Sequence, residues 1–128
     1  MTKINQHVPD AFIKSVLKLY SNGNINDALE KVEVLKNDYP NVPLLFNLSG
    51  VFFKAIGQMD DAVNNFKTAL ELKPDYFEVN FNLGLTLQQF GRLDEAVENF
   101  KSAIKYSPDY VDAHASLGNA LKQLGRPE

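Results

Sequence analysis

Apolar residues along the chain recur at intervals of three and four. Leu83, Leu87 and Phe90 are followed, beyond a glycine at 91, by Leu93, Val97, Phe100 and Ile104, with charged and amide residues between them. A stripe at that interval covers one face of an α-helix. Gly91 breaks the stripe with a residue whose backbone reaches angles closed to others, which marks a tight turn between two amphipathic helices. The same figure recurs on either side, so the pattern predicts an all-α chain with helices over 9–21, 25–38, 43–56, 59–72, 77–90, 93–106 and 111–124.

These features repeat every 34 residues. Gly23, Gly57, Gly91 and Gly125 form one column, Ala28, Ala62 and Ala96 a second, and Pro40, Pro74 and Pro108 a third. Gly50, Gly84 and Gly118 form a fourth, and Val32, Phe66 and Phe100 a fifth; the strings DAVNNF and EAVENF, and KPDY and SPDY, coincide in register. A fixed period of this size is the mark of stacked helical units, each burying its apolar face on its neighbours. The units are 9–42, 43–76 and 77–110, with half a unit at 111–128 and a tail at 1–8. The prolines push the preceding residue out of helical geometry, so Tyr39, Lys73 and Ser107 should end the second helix of each unit. Small residues at Gly84 and Ala96 should let the two backbones approach, with Leu87 and Phe100 filling the space around them.

On these columns the chain resembles the tetratricopeptide repeat (TPR) family over residues 9–128. The resemblance implies a right-handed superhelix, a solenoid of antiparallel helix pairs in which the first helix of each pair lines a concave groove. It implies a protein–protein interaction module, not a catalyst. The family often carries Trp in the column that holds Phe12, Phe46, Asn80 and His114 here, and this chain has no Trp. The wording DAHASLGNALKQLGR is similar to TPR arrays that precede bacterial glycosyltransferase, sulfotransferase and oxygenase domains. The lysines, arginine and asparagines with which the chaperone-binding branch clamps a carboxylate correspond to Ile13, Leu17, Leu48, Glu78 and Asn82, so most of that clamp is missing and Glu78 would repel a carboxylate.

By the repeat register the groove-facing columns run through Asp10, Leu44, Glu78 and Asp112; Ile13, Asn47, Phe81 and Ala115; and Lys14, Leu48, Asn82 and Ser116. Leu17, Val51, Leu85 and Asn119 follow, then Tyr20, Lys54, Gln88 and Lys122. Apolar residues flanked by amides and single charges suit an extended peptide or a partner helix, with anchors near Val51, Phe81 and Leu85. Asn82 can both donate to and accept from a ligand backbone.

Pro127 aligns with Ile25, Met59 and Leu93, the first turn of each second helix, where proline is well tolerated. The expectation is that GRPE opens a helix whose body this chain lacks, as in a piece of a longer protein. Ala113, Leu117, Leu121 and Leu124 should then face a missing partner, which predicts self-association, as a homodimer, through the C-terminal half repeat.

Composition narrows the chemistry. The 128 residues are 45% hydrophobic, enough for a core without staples, and the absence of cysteine removes thiolate chemistry and Cys-based metal sites. A net charge of -3, with lysines scattered among acids, argues against a nucleic-acid or anionic-membrane partner. No secretory core or long apolar run is present, which predicts a cytoplasmic protein. His7 and His114 are far apart in sequence, so a metal site is not expected and a packing role is assigned to His114. Asp60-Asp61 and Asp94-Glu95 open helices, where carboxylates favour the dipole. The sequon Asn47-Leu48-Ser49 falls inside a helix and is read as chance. No cofactor and no catalytic residue are expected. A self-assembly element, and a substrate-recruiting arm of a larger transferase with its chemistry beyond residue 128, stand as alternatives to the interaction module.

Overall fold

The computed structural model describes residues 7–126. They form seven helices: α1 Asp10–Ser21, α2 Ile25–Asp38, α3 Pro43–Ala55, α4 Met59–Leu72, α5 Phe77–Gln89, α6 Leu93–Tyr106 and α7 Val111–Gln123. Every expected helix is present, with ends displaced by a residue at most. The expectation that Pro127 opens a further helix lies outside the described residues, as does most of the 1–8 tail.

The turn that pairs the helices is one motif used repeatedly. At the end of α5 the Arg92 amide donates to the Leu87 carbonyl at 2.9 Å and the Gly91 amide to Gln88 at 3.0 Å, the two bonds of a Schellman cap. Gly91 has φ +79, a left-handed angle that costs a side-chain-bearing residue about 1–2 kcal/mol. The same pair of bonds closes α1, α3 and α7. At the other end of the repeat, Tyr39 (φ -132, ψ 70) and Ser107 (φ -142, ψ 81) leave helical geometry immediately before their prolines.

The chain divides into two compact units, Met1–Leu72 and Lys73–Glu128. In the first, α1 to α4 pack successively, and Val16, Val32, Leu35, Leu45 and Phe52 of α1 to α3 form a core that also takes in Val8 and Tyr39. A polar cluster ties α2 to the α3–α4 pair. Lys36 Nζ donates to Glu33 Oε2 at 2.6 Å and to Asn65 Oδ1 at 2.8 Å, Ser49 Oγ donates to Glu33 at 2.7 Å, and the Lys36 ammonium lies 4.9 Å from the Phe46 ring centroid.

In the second unit α5 packs on α6 and α6 on α7. Phe100, fully buried, lies directly on Gly84: a Cβ at 84 would meet Phe100 Cε1 at 2.5 Å. Gly50 receives Phe66 in the same way. The glycine column thus makes room for an aromatic ring from the second helix, where the sequence suggested a backbone approach between Gly84 and Ala96.

Candidate functional site

In the first unit α1 presents Leu17 and Tyr20, 45% and 37% exposed, on the face assigned to the groove. The Tyr20 ring stacks on Phe52 at 4.9 Å, near the C-terminal end of α3. On α3, Asn47, Val51 and Lys54 are half-buried. Burial holds the Lys54 ammonium below its ordinary pKa, and no carboxylate among the described residues pairs with it. A partly desolvated, unpaired cation beside apolar side chains is a place where an incoming carboxylate gains more than it would in water. Leu48, expected on this face, instead points into the core at 8% exposure and joins the Val16–Leu45–Phe52 cluster. An apolar side chain on the border of a helical stripe gains by turning inward, whereas its polar counterparts at 14, 82 and 116 do not.

In the second unit Glu78 is exposed, and Phe81, Asn82, Leu85 and Gln88 are half-buried on α5; Asn119 and Lys122 are exposed on α7. Gln88 Nε2 donates to Gln123 Oε1 at 2.7 Å, linking α5 to α7. Phe81 is a structural member as much as a surface one. Its ring lies 5.9 Å from Phe100 and 5.0 Å from Tyr110, and Phe77 meets Tyr110 edge-on at 5.5 Å. Burial, then Asp112 and Glu78 nearby, push the Tyr110 phenol above its usual pKa. Tyr110 was not singled out in the sequence. The repeated Pro-Asp-Tyr at 74–76 and 108–110 was its only signal, and it reads there as turn punctuation.

The α7 end differs from expectation in two respects. Ala113 is fully buried, with Ala120 on the same stripe, where α7 packs on α6. It therefore does not belong to the open face, although Leu117, Leu121 and Leu124 remain half-buried and partly accessible. His114 is exposed, and its Nε2 lies 2.7 Å from the Pro108 carbonyl, pinning the first turn of α7 to the preceding loop in place of packing. Val111, 75% exposed, and Gly118 line an open cavity of about 580 Å³ with Asn119 and Lys122.

The acidic pairs behave as helix-start residues. Asp60 and Asp61 occupy the first turn of α4; Glu95 in α6 takes both Arg92 Nε and Nη2 at 2.8 Å, and Asp94 pairs with Arg126 at 2.9 Å. Among the described residues no three His, Asp or Glu side chains gather as a metal site, and no helix is long and apolar enough to cross a membrane. The sequon serine, Ser49, is fully buried in α3.

The TPR repeat family matches residues 52–91 and 89–125, more than half of the chain. The chain belongs to the tetratricopeptide repeat family. Solved TPR-like structures superpose on nearly all of it. A crystal structure of MamA has a TM-score of 0.84 at 22% identity over 91% of this chain, which spans 63% of that one. The first TPR domain of Spaghetti (RPAP3), bound to the HSP90 peptide SRMEEVD, has a TM-score of 0.86 at 16% identity, covering 90% of this chain and 91% of the other. The Yersinia enterocolitica type III secretion chaperone SycD, in complex with a peptide of the translocator YopD, has a TM-score of 0.84 at 17% identity, covering 90% and 93%. At these identities the likeness is one of fold.

Proposed function

We propose that this TPR chain is a non-catalytic protein-interaction module that binds a peptide or partner protein along the groove-facing columns of its first helices. The observation that carries the reading is the face of the first unit, where exposed Leu17 and Tyr20 lie with half-buried Val51 and with Lys54, partly desolvated and paired with no carboxylate among the described residues. Apolar anchors beside a single partly desolvated charge are what a short ligand segment needs for affinity and register. Asn82, Leu85 and Asn119 occupy groove-facing repeat columns in the second unit. Two TPR-like neighbours of similar fold, the RPAP3 domain and SycD, were solved with peptides bound, which supports a peptide as the ligand class. Lys54 favours a ligand with a carboxylate close to an apolar side chain.

Peptides selected from a random display library on the full chain, measured by calorimetry, test this reading. Leu17→Glu and Lys54→Glu should each weaken binding by about tenfold or more while far-UV circular dichroism is unchanged. Unchanged affinity in both variants would remove the first-helix face as the site. Self-association through Leu117, Leu121 and Leu124 is the second reading, supported by their partial exposure; sedimentation that shows a monomer at all concentrations would reject it.

A further inference from the structure

A second surface lies on the opposite flank of α1, away from Leu17 and Tyr20. Phe12, Ser15, Val16 and Leu19 recur along α1 at helical spacing, and with Val34 and Leu35 of α2 they floor an open groove of about 600 Å³. Phe12 and Val34 are 47% and 57% exposed, large apolar side chains left in water on adjoining helices. Among the described residues that line it, Asp27, Glu30 and Asp38 stand around this floor against one cation, Lys31, whose Nζ is already engaged with Ser15 Oγ at 2.9 Å.

The first unit itself shows how such a face is covered. Phe46, Ser49 and Asn65 are the repeat equivalents of Phe12, Ser15 and Lys31, and α2 lies over them. It does so with Lys36 above the Phe46 ring and bonded to Asn65, and with Glu33 accepting from Ser49. An amphipathic helix is thus the shape that this face receives, and a cation over the aromatic ring is part of the fit. At the α1–α2 face Glu30 and Asp38 replace Asn64 and Leu72 while Lys31 replaces Asn65, so the rim carries one more net negative charge than its repeat equivalent. A helix arriving there meets a negative border, so its flanks must be basic. A second copy's identical face would bring carboxylates against carboxylates, which disfavours a symmetric pairing.

We infer that the α1–α2 face is a docking site for a cationic amphipathic helix of a partner protein, its apolar stripe on Phe12, Leu19 and Val34 and its lysines or arginines toward Asp27, Glu30 and Asp38. The site is separate from the first-helix face and does not rest on peptide binding there.

The probe is a synthetic amphipathic helix of about five turns with leucines at i, i+3, i+4 and i+7 and lysines on the flanks, beside the same peptide with glutamates for the lysines. Nuclear magnetic resonance of the full labelled chain should show saturable shifts at Phe12, Leu19 and Val34 with the lysine peptide only. Val34→Glu should weaken that binding about tenfold, and Asp27→Lys with Glu30→Lys should reverse the preference toward the glutamate peptide. Absence of shifts at these residues, equal response to both peptides, or shifts confined to Leu17 and Val51 would each overturn the inference. So would a dimer of the free chain that Val34→Glu dissociates, because the face would then be covered by a second copy.

Discussion

Gly84→Ala is a substitution in which two opposing effects can be separated. In a helix interior alanine is favoured over glycine by about 1 kcal/mol, so propensity alone predicts a more stable protein. The structure predicts otherwise. The new methyl group would lie 2.5, 2.7 and 3.0 Å from three atoms of the Phe100 ring, where ordinary contact begins at 3.4 Å. The ring must retreat by about 1 Å in a region packed as densely as a crystal, and Phe100 has no exposed surface through which to do so. Overpacking of this kind costs about 1–3 kcal/mol, so the net change should be a loss of up to about 2 kcal/mol. In a Phe100→Leu background the obstacle is gone and the same substitution should stabilise by about 1 kcal/mol. Urea denaturation followed by far-UV circular dichroism is the assay, since the chain has no tryptophan to report by fluorescence. The double-mutant cycle should give a coupling of about 1–3 kcal/mol. An equal effect of Gly84→Ala in both backgrounds would refute the ring-on-glycine account of the repeat.

Gly91→Ala tests the other glycine role: nothing lies within 4 Å of its Cβ, yet the positive φ should cost about 1–2 kcal/mol in the same denaturation assay. Lys36→Ala removes the donor shared by Glu33 and Asn65 and should lower stability by about 1 kcal/mol, with little dependence on salt because the Lys36 side chain is largely buried and its contacts are mostly hydrogen bonds and packing. The raised Tyr110 phenol keeps its proton when the unfolded chain has lost it, so stability should fall as pH rises through 10.0; Tyr110→Phe should reduce that fall in melting temperature. Lys54 has the opposite sign. Its depressed pKa means that the charged form is disfavoured in the folded chain, so Lys54→Met should raise the melting temperature at neutral pH while weakening the capture of a carboxylate-bearing peptide.

The helix boundaries were legible because several independent signals coincided in each repeat. The Schellman glycine at 91, the proline after Ser107 and the apolar stripe through Leu93, Val97 and Phe100 all specify the same ends for α6. What each helix turns outward was less legible. Repeat register treats Lys14, Leu48, Asn82 and Ser116 as equivalent, yet Leu48 is drawn into a core that Lys14 leaves. Ala113 shares a stripe with Leu117 and with Ala120, and only the structure shows that its two alanines are buried while the leucine stays partly accessible. The Phe77–Phe81–Phe100–Tyr110 cluster and the Lys36 network join residues far apart in the chain, and no local spacing announces them.

Site-specific photocrosslinking can report which helices a bound peptide touches. A photoreactive residue would be placed in turn at Asn82 and Lys122, on first helices, and at Glu98 and Lys101, on the second helix α6, in the presence of a peptide selected on the full chain. The account predicts crosslinks from Asn82 and Lys122 that excess unlabelled peptide abolishes, and none from Glu98 or Lys101. Crosslinks from Glu98 and Lys101, with Asn82 and Lys122 silent, would contradict it.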